Sequence, residues 1–323
     1  MARYLVTGGA GFIGSHIVEA LIGRGDQARG LDDLSSGLAE NLSAFGSGPA
    51  GSGAPVELVQ ASITSDAACA AACVGVEAVF HEAAMVSVPR SFEEPQRCYD
   101  VNTSGTLRLL DAARKARVRA FVFASSSAVY GDAPKLPKEE SMWPAPMSPY
   151  ASSKLASEQL LEVWGRAYGL RTVSLRYFNV FGPRQRDDSP YTGVIALFAR
   201  ALLEGRAATI LGDGEQTRDF TFVENVVHAN LLACERDLAP GETINLGSAD
   251  RISINALHRA MAEIVGSDVE PVHAPPRQGD VRDSLASLER ARVRLGYAPR
   301  VPFRAGLEKT LSWYRDRLAI GRR

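Results

Sequence analysis

Tyr150 and Lys154 stand four residues apart in a segment of helical pattern, so a phenol and an ammonium project from one face. A neighbouring positive charge favours phenolate and draws the tyrosine pKa from about 10 toward neutrality, where it exchanges a proton with a substrate hydroxyl. The pair alone is weak, because Tyr-x-x-x-Lys arises by chance on many amphipathic helices. Ser125, Ser126 and Ser127 strengthen it. They follow the apolar run 120–124, at the end of a predicted strand, where hydroxyls can bridge the phenol and a substrate oxygen.

A second group of residues would hold a dinucleotide beside that proton chemistry. A short apolar strand, Tyr4 to Val6, runs into Gly8, Gly11 and Gly14 and then into the helical pattern from Phe12 to Leu21. Gly8 permits a tight turn, Gly11 lets backbone N–H groups approach a pyrophosphate at the helix N-terminus, and Gly14 lets the helix pack closely. The spacing is Gly-x-x-Gly-x-x-Gly. A second run, Ala28 to Leu31, ends at Asp32, eighteen residues after Gly14, where a carboxylate can accept the hydroxyls of an adenosine ribose. No Arg or Lys follows within the turn Asp32 to Gly37, which favours NAD over NADP.

The elements that must carry these groups alternate along the chain. Strand-like runs at Tyr4 to Val6, Ala28 to Leu31, Val56 to Val59, Ala78 to His81, Ala120 to Ala124 and Thr172 to Arg176 are separated by helical patterns over 12–22, 66–73, 95–116 and 149–168. Such alternation means an α/β fold, a doubly wound parallel sheet of Rossmann type. Ser148 and Pro149 mark the start of the last helix. After Arg176 the alternation loosens into helical segments near 193–204, 224–235, 253–265 and 302–317, which predicts a dinucleotide-binding domain over 1–176. A smaller α/β substrate-binding lobe follows over 177–323, with the boundary approximate and segments free to interleave. The Gly-, Ser- and Pro-rich stretch 44–55 is expected to be a mobile surface loop.

Composition narrows the function. The 323 residues are 46% apolar with a net charge of −1, acids and bases interspersed, so neither a nucleic acid nor an anionic membrane finds electrostatic support. The N-terminus enters a strand directly and no run approaches a membrane span, which leads us to expect a cytoplasmic enzyme. Cys69, Cys73, Cys98 and Cys234 are sparse, without the partners a metal site needs, and read as small buried thiols.

Taken together, these residues resemble the extended short-chain dehydrogenase/reductases, the NAD-dependent epimerase/dehydratase family, and within it the UDP-hexose 4-epimerases. The resemblance covers essentially the whole chain. It is carried by Thr7 to Gly14, His81-Glu-Ala-Ala84, Asn102 in Val-Asn-Thr-Ser-Gly-Thr106, Ser125 to Gly131, Tyr150 with Lys154, Arg176 to Gly182, Gly212 to Phe220, and Arg277 to Arg282. It implies that Tyr150 is the catalytic base and acid, that Lys154 binds the nicotinamide ribose and lowers the tyrosine pKa, and that Ser126 orients the sugar hydroxyl. It further implies NAD contacts from Gly8, Gly11, Phe12, Ile13, Asp32, Asp33, Ser35, Ser36, Gly37, Ser62, Ile63, Ala83, Ala84, Asn102 and Phe178. Substrate contacts would come from Ser87, Ser127, Asn179, Gly193, Arg218, Arg277, Asp280 and Ser284, with Asn179, Arg218 and Arg277 holding the nucleotide diphosphate.

The activity so implied is C4 epimerisation of a UDP-hexose through a 4-keto intermediate, with NAD retained and a homodimer paired through the helices 95–116 and 149–168. A small Ser284, four residues after Asp280, would leave room for a 2-acetamido group. UDP-GlcNAc and UDP-GalNAc are therefore expected substrates beside UDP-Glc and UDP-Gal. A 4,6-dehydratase would need an acid and a base where Ser127 and Ala128 stand. Uronate epimerases and decarboxylases of the family stay open, with Arg90 and Arg186 as candidate carboxylate partners. A non-enzymatic NAD sensor is disfavoured because Tyr150 and Lys154 are both present. Two departures stand out: Ser62-Ile-Thr-Ser65 where members carry Asp-Ile-x-Asp, which weakens the adenine contact, and Asn225 where they often carry Asp.

Overall fold

Eight parallel strands form one sheet in the computed structural model, which describes residues 1–187, 193–276 and 281–321. Seven come in chain order: β1 (Arg3–Thr7), β2 (Gln27–Asp32), β3 (Ser47–Pro49), β4 (Val56–Gln60), β5 (Ala78–His81), β6 (Ala120–Ser126) and β7 (Arg171–Tyr177). The eighth is Glu242–Leu246, and the spatial order is Glu242–Leu246, β7, β6, β5, β1, β2, β4, β3. The central strands β5 and β6 are apolar and buried along nearly their whole length because both faces of the sheet are covered. On one face, Phe12–Gly23 and Val223–Glu235 bury Ile17, Leu21, Val226 and Ala233 against Val6, Phe80 and Val122. On the other, Asp66–Cys73, Gly105–Lys115 and Pro149–Tyr168 close over Leu5, Val79 and Phe121.

Strand order reverses between β1 and β5, which opens a crevice at their C-terminal ends, the place where ligands of such sheets bind. The residues after β1 and after β5 border it. The doubly wound parallel sheet is thus the one expected from the alternation.

The helix Pro149–Tyr168 runs as its sequence signals predict: the Ser148 hydroxyl accepts from Ala151 N, Pro149 occupies the first turn, and Gly169 closes it at φ +70°. One residue inside it fixes its position. Glu158 is buried and accepts from the Ser125 hydroxyl of β6 at 2.5 Å and from the Arg176 guanidinium of β7 at 2.9 and 2.7 Å. Tyr150 and Lys154, two turns and one turn earlier, are thereby held against the sheet edge.

Three segments differ from expectation. The stretch 95–116 is not one helix but Pro95–Tyr99, a π-turn at Asp100–Ser104, and Gly105–Lys115. The Asn102 side chain is drawn to the Met85 backbone, and a Cβ at Gly105 would meet Ile63 Cδ1 at 2.8 Å, so the helix widens where its neighbours press. Within 44–55, Ser47–Pro49 pairs with β4 and extends the sheet, while most of the rest of the stretch is exposed. The strand Glu242–Leu246 escapes the sequence reading because its five residues lack flanking periodicity, yet it pairs with β7 in full register.

Beyond β7, the helices Val194–Leu203, Ile254–Val265 and Phe303–Gly321 enclose a separate core of Phe181, Phe198, Phe222, Leu257 and Leu311, fringed by two-stranded sheets. The four cysteines are buried and free. No helix among the described residues is long and apolar enough to cross a membrane. Asn225, the departure noted above, ties this lobe down. Its Oδ1 accepts from Arg300 N and Val301 N at 2.8 and 3.0 Å, and its Nδ2 donates to Val301 O at 2.9 Å. A carboxylate cannot supply the last donor, so Asn225→Asp should cost about 1–3 kcal/mol. An unchanged urea midpoint would refute this account.

Candidate active site

The turn after β1 is built by close backbone approach. Gly8 sits at φ +65°, and a Cβ there would lie 2.9 Å from Ala83 N, while a Cβ on Gly14 would lie 2.1 Å from the Gly8 carbonyl oxygen. The helix Phe12–Gly23 starts at Gly11 with no side-chain cap and no acid in its first turn. Its first N–H groups are left for an anion, and the dipole favours one there. Phe12 and Ile13 line the large cavity that begins at this point.

Asp32, at the end of β2, is buried and accepts from Ala10 N at 3.0 Å and Leu34 N at 2.9 Å. Burial holds its carboxyl above the usual carboxylate range, against these two bonds. The turn closes over it at Gly37, where a Cβ would lie 2.8 Å from both carboxylate oxygens. Asp33 accepts from Ser35 N, and Arg186 donates to Ser36 O at 3.3 Å, so a cation reaches this turn from a distant segment. An uncapped helix terminus, a turn without room for side chains and a carboxylate at the second strand fit a dinucleotide.

After β5 the side chains part to opposite faces. His81 points inward between Thr7 and Thr106, with Nδ1 and Nε2 at 2.7 and 2.9 Å from their hydroxyls. Burial, aided by Lys154, pushes it down to about 3, so it is neutral. Thr7 Oγ1 also accepts from Ala83 N. Asn102 spends its amide on Met85 N, Met85 O and Ser153 Oγ, clamping the loop that follows Ala84 rather than lining the cavity. Ser62 bonds Thr64 and Ile63 packs on Gly105, both away from the cavity wall. Glu82, which the sequence reading does not single out, does line the cavity and accepts from Tyr177 Oη at 2.8 Å. Its signal was a carboxylate directly following an apolar strand.

The cavity of about 1370 Å³ brings together Ser126, Ser127, Tyr150, Lys154, Phe178, Asn179, Arg218 and Ser284. Lys154 Nζ donates to Ala124 O at 2.7 Å and lies 5.9 Å from the Tyr150 ring centre. Ser126 ends β6, its Oγ accepting from Ala128 N, and it lines the same cavity as the Tyr150 phenol. The electrostatics reverse one expectation. Burial pushes the Tyr150 phenol up to about 12, with Ser126 working the other way, and pushes the Lys154 ammonium down to about 8, with Glu82 working the other way. Desolvation outweighs the helical spacing that suggested a tyrosine near neutrality.

An adjoining cavity of about 510 Å³ shares Asn179 and Arg218 and is lined further by Ser87, Gly193, Leu197, Leu211, Gln216 and Phe220. Arg218 rests its Nη1 on the carbonyls of Thr217 and Arg282 and faces both cavities. Asn179 Nδ2 donates to Asp219 O and to Ser284 Oγ at 3.1 and 3.2 Å. Ser87 caps the helix Val88–Glu93, and Gly193 caps Val194–Leu203. Arg90 pairs with Glu94 at 2.6 Å. Arg277 and Asp280 lie outside the described residues. Gln185 also lines this cavity and carried no sequence signal, whereas Gln216 and Phe220 lie within the segment Gly212 to Phe220 noted above.

A phenol, an ammonium and a hydroxyl thus converge on one wall of a cavity that starts at a glycine turn and ends at an arginine: proton transfer beside a dinucleotide, on a substrate with an anionic handle. Comparison with known proteins agrees. Residues 4–247 match the NAD dependent epimerase/dehydratase family. The UDP-glucose 4-epimerase of Mycolicibacterium smegmatis is 42% identical over 98% of this chain and 99% of its own length. Two solved structures superpose with TM-scores of 0.91, each over 98% of this chain and 99% of its own: UDP-glucose 4-epimerase from Thermotoga maritima with UDP-glucose, 40% identical, and UDP-N-acetylglucosamine 4-epimerase from Methanobrevibacter ruminantium in complex with UDP-N-acetylmuramic acid, 38% identical.

Proposed function

The chain belongs to the NAD dependent epimerase/dehydratase family, and on that premise we propose that it interconverts UDP-hexoses at C4, accepting the N-acetylated pair UDP-GlcNAc and UDP-GalNAc beside UDP-Glc and UDP-Gal. The observation that carries this reading is the meeting of Tyr150, Lys154 and Ser126 in a cavity that runs on to Arg218. NAD, when bound, takes up and returns the hydride. Tyr150 as phenolate removes the C4 hydroxyl proton while C4 gives up its hydride, and gives the proton back when hydride returns to the opposite face, so the sugar is inverted without net redox change. Lys154 holds positive charge beside that phenol, and Ser126 orients the sugar hydroxyl toward it. Asn179 and Arg218, with Arg277, anchor the diphosphate while the 4-keto sugar turns over.

Dehydration is disfavoured because Ser127 and Ala128 line the cavity where an acid and a base would be needed. Exposed Tyr99, Leu107, Val163 and Tyr168 support a homodimer through the helices on which they stand; a sedimentation mass of one 34.7 kDa chain would remove that reading.

Purified protein with NAD, given UDP-GlcNAc and separately UDP-Glc, should invert C4 in both by proton NMR. No conversion of either sugar would defeat the proposal. Ser284 is 9% exposed, faces the cavity and is tied to Asn179 and Asp219. Ser284→Tyr should lower turnover of UDP-GlcNAc by roughly tenfold or more while sparing UDP-Gal, because a ring there takes the acetamido space. Equal loss on both would sink the gate.

A further inference from the structure

Glu82 is the carboxylate at the crevice where strand order reverses, and the mechanism above does not use it. Among the described residues lining the large cavity, carboxylates occur at Glu82 and at Glu93 alone, and Glu93 ends the helix Val88–Glu93 beside the exposed Phe92. Glu82 is oriented by a relay: Tyr177 Oη donates to it at 2.8 Å, and Asn230 Nδ2 donates to Tyr177 Oη at 2.8 Å. The wall around it is otherwise uncharged or cationic: Phe12, Ile13, Ala124, Phe178 and the ammonium of Lys154.

Hydride can leave the sugar only to a group beside the Tyr150 phenol. The nicotinamide therefore has to occupy the stretch between the glycine turn and Tyr150, which Glu82 borders. In its oxidised form the ring is a cation, and it would face Lys154 with no other anion from the protein. We propose that Glu82 sets the redox preference of the bound cofactor, its carboxylate stabilising the cationic, oxidised nicotinamide over the neutral, reduced one. This rests on the reading that hydride chemistry occurs at the Tyr150 end. The consequence is directional: hydride is pressed back onto the keto sugar, and an enzyme left holding reduced cofactor is disfavoured.

The groups facing Glu82 fix the pH window. From the helix Pro149–Tyr168 come Lys154, pushed down to about 8, and Tyr150, up to about 12; from β7 comes Tyr177, raised well above its ordinary value. Cys98 stands behind Tyr150 and Lys154 with its thiol raised, and His81 on the opposite face is neutral. Burial pushes Glu82 itself up to about 7, against the Tyr177 hydroxyl and Lys154. The carboxylate, and with it the preference for the oxidised form, is present above that value and lost as pH falls through it.

The test is binding, not turnover. Protein stripped of cofactor is titrated with NAD+ and separately with NADH, wild type and Glu82→Gln, at pH 7.5 and 6. Glutamine keeps an acceptor for Tyr177, so the relay survives. The ratio of Kd for NADH to Kd for NAD+ should fall about tenfold in the variant at pH 7.5, and the wild-type ratio should move toward the variant's at pH 6. A ratio unchanged by the substitution, including equal weakening of both forms as a purely structural carboxylate would give, overturns the proposal. So does a wild-type ratio flat between the two pH values, or a protein that binds neither form. Because no sugar is present, the result stands apart from the epimerase assay.

Discussion

Tyr150→Phe should lower turnover of a UDP-hexose by about two to four orders of magnitude, the range expected for loss of a positioned general acid and base, while NAD stays bound. The change removes one oxygen from a side chain that lies against Ser126 and Lys154, and the ring itself remains to fill its place. Cofactor retention, read by absorbance of the denatured protein's released dinucleotide, separates lost chemistry from lost binding. The pH profile adds a second readout. Burial holds the phenol high and the ammonium low, so wild-type kcat/KM should climb with pH up to about 8 as the phenolate fraction grows, and level off above it, where loss of the Lys154 proton offsets each further gain in phenolate. Unaltered turnover in the Tyr150→Phe variant would mean that another group moves the proton.

Gly14→Ala should abolish NAD retention. The added Cβ would sit 2.1 Å from the Gly8 carbonyl oxygen, 2.8 Å from the Gly8 carbonyl carbon and 3.0 Å from Gly9 Cα. All three are backbone atoms of the turn itself, so the helix must shift off it. Overpacking of this kind costs about 1–3 kcal/mol or more, and here it falls on the N–H groups meant for the pyrophosphate. A loss of roughly five- to a hundredfold in NAD affinity follows at 1.4 kcal/mol per factor of ten, enough to lose the cofactor on purification. Gly23→Ala, at the far end of the same helix, meets nothing within 4 Å and should leave affinity unaltered. Equal affinities for the two variants by calorimetry would show that the close approach does not matter.

The parts of the fold that were legible are those written in local chemistry. Ser148 and Pro149 announce the helix that carries Tyr150 and Lys154, and the glycines at 8, 11 and 14 announce a turn that only glycine can build. The parts that were not legible depend on who is brought near. The four-residue spacing of Tyr150 and Lys154 is visible, but the desolvation that separates their pKa values belongs to the cavity wall. Glu82 reads as an ordinary polar residue until Tyr177, 95 positions away, donates to it. The π-turn at Asp100–Ser104 likewise follows from Asn102 reaching Met85, a contact no helical periodicity contains.

The route of the chain has a mechanical meaning. After β7 it enters the smaller lobe, comes back to cover and extend the large sheet with Val223–Glu235 and Glu242–Leu246, leaves for Ile254–Val265, and comes back again to pack Ala291 and Leu295 on the sheet's core. It then ends in Phe303–Gly321 among the residues of the smaller lobe. Five passages stitch the halves together, so no single hinge can part them. Rim segments such as Val86–Phe92 and Met147, which line the cavity, are then the parts we expect to give way when a ligand enters. A long dinucleotide threaded deep between them would leave slowly, while a sugar at the rim could be exchanged many times.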